Sequence, residues 1–341
     1  MVDNYEKLIN HLDKNKVCLN EPLSKHTTFR LGGTADLFFH AGGVFDLLRA
    51  VVICREWNVP FIVLGGGSNV IVGDKGFRGI VILNRKGIIE QIDDERIEIT
   101  SGTLNTSVVQ YILKHELSGL EFIAGIPGTI GGAIRHNARF RNPISFQEKV
   151  TKFDVVKNQF VADFLEDALI ITPDNNIRRV SKDYINPQYH KTNLKEKKDI
   201  MLSGRFKLER SKKETIRTSI NKQLLWRKNR KVDIAQNNIE VQADPITGHR
   251  AKQPALPSPG CVFSNISNPD NHPVGRILDM CGLKGMRIGD IMMANEHANY
   301  IVNLGNGKAS DALDLIRLCQ ERVKQRFNLD LELEIELVGE F

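Results

Sequence analysis

Apolar positions near the start of the chain recur at helical spacing. Tyr5, Leu8, Ile9 and Leu12 fall on one face, with Asp3 placed to cap the helix. A second helix is predicted from about Asp46, turning Leu47, Leu48, Val51 and Val52 inward and stopping near Asn58-Val59-Pro60. Between them, HTTFRLGG (26–33) reads as a tight bend after a short strand. FIVLGGGSNVIVGD (61–74) reads as an apolar strand, a glycine turn and a second apolar strand. Residues 88–100 predict two short strands, and a helix follows with Leu104, Val108, Tyr111 and Ile112 on its apolar face. Strand patterns return at 168–171, 177–180 and 199–208, and 212–228 is a basic helix. A long helix begins at Ser310, its expected cap, and buries Leu315, Ile316, Cys319, Val323 and Phe327. The last segment, LDLELEIEL (329–337), alternates with period two, and this strand is expected to return to the N-terminal part of the fold. Residues 139–159 and 236–250 lack periodicity and read as an excursion and a loop or hairpin.

At 341 residues the chain is long enough for two or three domains. A hydrophobic share of 41% and a charged share of 26% exclude disordered and fibrous classes. The net charge of +6 (47 Lys and Arg against 41 Asp and Glu) suits anionic ligands. The basic residues are scattered and 2 Trp with 5 Tyr offer few stacking platforms, so no nucleic-acid partner is expected. The 5 cysteines (Cys18, Cys54, Cys261, Cys281, Cys319) include no CxxC pair, so neither a metal site nor a disulfide framework is expected. MVDNYEKLINHLDK lacks the apolar core of a secretory leader, and no run approaches the roughly 18 apolar residues of a membrane span. A cytoplasmic protein without membrane insertion is the expectation.

Two glycine loops carry the first candidate chemistry. In Gly65, Gly66, Gly67, Ser68 and Asn69, backbone N–H groups can approach a phosphate unobstructed by Cβ atoms, and the last two residues add side-chain donors. The same turn serves equally well as a plain link between strands. Gly125, Ile126, Pro127, Gly128, Thr129, Gly131, Gly132 and Ala133 form a second such surface. Neither loop is a GxGxxG opening a helix or a Walker A loop. Together they suit a dinucleotide with a pyrophosphate.

HTTFRLGG, VLGGGSNVIVGD, GLEFIAGIPGTIGGA, QPALPSPGCVFSN, GLKGMRIGD, EHANYIVN and LELEIELVG occur in one order across residues 20–339. In this set the chain resembles the UDP-N-acetylenolpyruvoylglucosamine reductase (MurB) family of bacterial cell-wall synthesis, and most closely its shorter class, which lacks an extra tyrosine-bearing loop. The resemblance implies an α+β fold: a two-subdomain FAD-binding fold of the vanillyl-alcohol-oxidase (PCMH) type plus a C-terminal α+β substrate domain. It divides the chain into FAD-binding subdomain 1 (1–84 with 328–341), FAD-binding subdomain 2 (85–209) and a substrate domain (210–327). It implies noncovalent FAD, NADPH as cosubstrate, and reduction of the enolpyruvyl group of a UDP-sugar to UDP-N-acetylmuramate. A related flavin oxidoreductase acting on another anionic substrate, or a flavin-binding protein without turnover, is the alternative.

The same resemblance implies roles for individual residues. The family's proton donor, usually serine in GS-x-F-x-N, matches Cys261 in GCVFSN. A thiol, with a pKa of about 8.5, is a stronger acid than a hydroxyl, so donation is chemically sound. Glu334 matches the family's acid in the final strand, whereas the alternation alone puts Asp330, Glu332, Glu334 and Glu336 on one face. The arginine of Y-R-x-S is replaced by His190, expected to act as imidazolium, with help from Lys191, or to be no more than an exposed loop histidine. Arg30 joins the two glycine loops as a cofactor contact, and Tyr189, Lys252, Asn265, Lys284 and His297 are implied substrate contacts. Two departures stand out. The family's NAGAYG reads NARFRN (137–142), with Arg139 at a glycine position, and insertions fall near 141–157 and 232–248.

Overall fold

A computed structural model describes residues 2–142, 157–227, 254–265 and 272–341. The chain forms two compact units. One comprises Met1–Phe39, Trp57–Ile82 and Gln242–Phe341, the other His40–Glu56 and Leu83–Val241. Lys252 and the expected insertion near 232–248 lie outside the described residues, as does most of the one near 141–157.

In the first unit, a four-stranded sheet runs in the order Val17–Pro22, Thr34–Ala41, Phe77–Asn84, Phe61–Leu64. Val17 faces Phe39 across its first, antiparallel pair. A second, three-stranded meander is built from Arg287–Ile288, Ile291–Met293 and Ile301–Asn303. The helix Ala309–Phe327 presses Leu315, Ile316, Cys319 and Val323 into a core shared with Phe29, Ile71, Phe263, Ile291 and Ile301. Segments far apart in sequence are thus held by one apolar cluster.

Ser310 does not cap that helix with its side chain. Asp74 does the work instead: its carboxylate accepts from Ala309 N–H at 2.7 Å and from Ser310 N–H at 3.0 Å. The first helix, Val2–His11, already contains Asp3, so that expected cap also fails. The final segment is a true ladder only at Glu336–Val338, which runs parallel to Val70–Val72. Its earlier half makes an isolated antiparallel bridge at Leu333 and Phe263, flanked by Ser264 N–H to Glu332 O at 2.9 Å and Glu334 N–H to Val262 O at 2.8 Å, with Leu331 and Ile335 buried. Gly73 is needed here, because a Cβ on it would stand 2.0 Å from the Glu340 carbonyl oxygen.

The second unit is built on a five-stranded antiparallel sheet ordered Ile177–Ser181, Leu165–Ile171, Ile200–Lys207, Arg96–Thr100, Ile89–Gln91. Ile97, Ile99, Ala168, Ile170 and Phe206 meet Val108 and Ile112 of the helix Asn105–His115, and Ile216 and Ile220 of the basic helix Lys213–Arg227. The stretch expected to be an excursion is partly strand: Arg139–Asn142 pairs antiparallel with Lys157–Phe160, Arg139 opposite Phe160. Among the described residues, no helix is long and apolar enough to cross a membrane.

Candidate active site

In the first unit, five of the singled-out motifs are laced together by main-chain and amide hydrogen bonds. Thr28 N–H donates to the Gly67 carbonyl at 3.0 Å, and Thr28 Oγ1 to the Ser258 carbonyl at 2.8 Å. Asn69 Nδ2 donates to the Glu334 carbonyl at 3.1 Å, and Glu334 N–H to the Val262 carbonyl at 2.8 Å. Cys261 is bridged on its other side to Tyr300. Asn299 makes a reciprocal pair with Phe263, accepting its N–H at 2.9 Å and donating to its carbonyl at 2.8 Å. Cys261, Glu334 and the GGGSN turn therefore sit on one framework, with Cys261 and Glu334 both half-buried.

His297 belongs to the same framework. Its Nδ1 accepts from Asn299 N–H at 3.0 Å, and burial followed by the nearby Lys284 charge pushes its pKa down to about 4. Lys284 is paired with Asp279 at 3.0 Å, and Asn265 accepts Val274 N–H at 2.9 Å, which anchors the start of the helix Val274–Met280. An anionic ligand taken up by Lys284 would compete with that aspartate. Arg30 is exposed in a left-handed turn (φ 56°), its carbonyl accepting from Asn303 Nδ2 at 3.5 Å.

In the second unit, Tyr189 and His190 occupy the two central positions of a tight turn closed by Gln188 and Lys191 N–H···O bonds of 2.9 and 3.4 Å. His190, the third residue of the turn, is left-handed there (φ 53°), the conformation that type II and type I′ turns place at that position. Asn137, buried and itself left-handed, donates to the Gln188 carbonyl at 2.7 Å, and Thr192 Oγ1 donates to the Arg135 carbonyl at 3.0 Å. The end of the helix Ile130–Arg135 thus fixes the turn.

The surroundings of His190 disfavour the expected imidazolium. Burial, then the neighbouring His136 and the Arg139 charge, push the His190 pKa down to about 3. Arg139 Nε donates to His190 Nε2 at 3.2 Å, so the neutral ring carries its proton on Nδ1. Lys191, the other cation proposed for this place, has an exposed side chain.

Comparison with known proteins decides the family. Residues 252–338 match the UDP-N-acetylenolpyruvoylglucosamine reductase, C-terminal domain family, and residues 35–159 match the FAD binding domain family. UDP-N-acetylenolpyruvoylglucosamine reductase of Clostridium botulinum is 31% identical over 326 residues, covering 96% of this chain and 94% of its own. That of Desulforamulus reducens is 34% identical over 331 residues, covering 96% of both chains.

The chain belongs to the UDP-N-acetylenolpyruvoylglucosamine reductase family.

The solved structure of the Thermus caldophilus family member agrees, with a TM-score of 0.67 at 30% identity, covering 95% of this chain and 98% of that one. The α+β reading and the FAD-binding domain stand on these matches.

The donors present fit the pyrophosphate of FAD, on a narrower footing than the glycine count suggests. Gly66 and Gly67 N–H groups make no hydrogen bond to a described residue. Gly67 must be glycine, since a Cβ would stand 2.2 Å from the His26 carbonyl oxygen. In the second loop, Gly128 and Thr129 N–H groups are likewise uncommitted among the described residues. By contrast, Ile130, Gly131, Gly132 and Ala133 N–H groups already donate to Thr103, Ser101 and Thr129. Gly131 serves packing: a Cβ there would lie 2.7 Å from Ser101 Cβ.

Asn137, Thr192 and Asn299, the residues that hold these sites in place, were not singled out by pattern. A signal existed for Asn299. An amide inside the apolar run ANYIV, buried as it is, must find main-chain partners.

Proposed function

We propose that the protein is an NADPH-dependent flavoprotein reductase that converts the enolpyruvyl group of a UDP-sugar to UDP-N-acetylmuramate in cytoplasmic peptidoglycan precursor synthesis. The observation that carries this reading is the shared framework of Cys261 and Glu334, joined through the Val262 carbonyl, in a chain related to the family over nearly its whole length. When bound, FAD supplies the hydride that reaches the terminal enolpyruvyl carbon. Gly66, Gly67, Ser68 and Asn69, with Gly128 and Thr129, hold that cofactor through backbone and side-chain donors. Cys261 holds the proton destined for the adjacent carbon, and Glu334 is the second acid of the site. Lys284, His297 and Tyr189 contact the UDP-sugar, with Lys252 and Asn265 as further contacts. The C-terminal pairing of Glu336–Val338 with Val70–Val72 supports counting 328–341 with the first subdomain, as the three-part division has it.

Rapid mixing tests the reading. The purified protein should carry noncovalent FAD, released on denaturation. NADPH should bleach it, and the enolpyruvyl UDP-sugar should restore the oxidised spectrum. Bleaching without restoration points to a different acceptor. A protein that takes up FAD and is never bleached is a binding protein.

A further inference from the structure

The two residues in which this chain departs most sharply from its family touch each other. The family resemblance puts an arginine where His190 stands and a glycine where Arg139 stands. Here Arg139 Nε lies 3.2 Å from His190 Nε2, a second guanidinium nitrogen donates to Tyr189 Oη at 2.5 Å, and the guanidinium carbon sits 4.3 Å from the Tyr189 ring centre. A guanidinium launched from the strand Arg139–Asn142 therefore lies against the side chains of both Tyr189 and His190.

We infer that Arg139 supplies the fixed positive charge that binds the substrate's carboxylate, and that His190 is a positioning residue that holds this guanidinium. The inference rests on the proposed function and names the residue that meets the anion. A carboxylate whose neighbouring carbon gathers charge needs a permanent cation with planar, paired donors. A neutral imidazole supplies neither. Arginine stays charged when half-buried, and its contacts to His190 and Tyr189 fix the plane of the fork. The backbone beneath it is held as well. Ala138 N–H donates to Ala133 O at 2.7 Å, and Val161 N–H to Ala138 O at 2.9 Å. From the other side, Asn137 fixes the turn that carries His190. The ring of His136 packs 4.6 Å from His190 and closes that side of the imidazole. The exchange is thus coherent: one cation has moved from the turn to the strand, and the histidine left in the turn supports it.

The test uses FAD-loaded protein and two ligands, the enolpyruvyl UDP-sugar and UDP-N-acetylglucosamine, which lacks the carboxylate. Binding to the oxidised protein is measured by calorimetry, and each half-reaction by rapid mixing. Arg139→Gly should weaken the enolpyruvyl ligand roughly 10- to 100-fold, the scale of a lost charge-assisted pair, and leave UDP-N-acetylglucosamine within about threefold. The double variant Arg139→Gly with His190→Arg should recover most of the lost binding and reoxidation, and Arg139→Lys should recover part. Equal weakening of both ligands would make Arg139 a structural residue. A double variant no better than Arg139→Gly would also overturn the assignment. A wild type that is bleached but binds neither UDP-sugar overturns the proposed function and this inference with it.

Discussion

Asn69 donates its amide to the Glu334 carbonyl, and Glu336 returns its N–H to the Asn69 carbonyl at 2.9 Å, so the GGGSN turn grips the final segment at two points. The strand ladder itself covers only three residue pairs, from Val70–Glu336 to Val72–Val338. The Asn69 side chain therefore extends the pairing by one step to reach Glu334. Asn69→Ala should destabilise the protein by about 1 kcal/mol, and more if the freed carbonyl stays dry. Differential scanning calorimetry should show a lower Tm for the variant. An unchanged Tm would mean that the ladder alone fixes Glu334.

Cys261 should divide the two half-reactions. Hydride transfer from NADPH requires no proton at the substrate's α-carbon, so Cys261→Ala should be bleached at nearly the normal rate. Its reoxidation by the enolpyruvyl UDP-sugar should slow by roughly 10²-fold or more, the scale of losing a positioned acid. Cys261→Ser should keep substantial activity, and a thiol reagent should inactivate wild type while sparing the serine variant. Reoxidation of the alanine variant at the wild-type rate would make the cysteine structural.

Acid should find out the buried histidines. In the unfolded chain histidine titrates near 6.5, whereas in the fold His190 is held at about 3 and His297 at about 4. Both folded pKa values are depressed, so the unfolded state binds protons that the folded state refuses. Stability is then fully present above about pH 6.5 and falls as pH drops from there toward 4 and 3. Each residue contributes at most ~1.4 kcal/mol per pH unit in that window. Denaturant titrations between pH 7 and 4 should show the loss, with His190→Gln and His297→Gln each flattening it. The same neutrality predicts that the substrate half-reaction does not decline between pH 6 and 8 on account of His190. A decline there that His190→Gln abolishes would restore the imidazolium.

Asp74 should prove to be the cap of the helix Ala309–Phe327. Burial opposes its charge, but the donors from Ser310 and Ala309 outweigh that and hold its pKa below the usual carboxylate range. Asp74→Ala should cost about 1–2 kcal/mol, whereas Ser310→Ala, which keeps both backbone donors, should cost less. Because the folded pKa is depressed, the aspartate's stabilisation is present above the unfolded pKa and fades as pH falls through the folded one. Equal losses for the two variants, measured by urea denaturation, would return the cap to Ser310.

The sequence by itself determined the family and those elements whose apolar spacing is regular. Periodicity alone locates the helices Asn105–His115 and Lys213–Arg227 and the strands of the five-stranded sheet, because apolar spacing is a local property of the chain. The glycine turn at 65–69 was legible for the same reason, since glycine reports backbone conformation where it stands. Tertiary structure decided whatever depends on a partner distant in sequence. Ser310 looked like a cap until Asp74, more than two hundred residues away, took the helix's first N–H groups. The second glycine loop looked like an open row of donors, but residues 101–103 and Thr129 accept those of residues 130–133. His190 looked like a titrating cation until burial, with His136 and Arg139 beside it, pushed its pKa down to about 3. A hydrogen bond or a charge acts through space, and a pattern along the chain records the donor without recording who is opposite it.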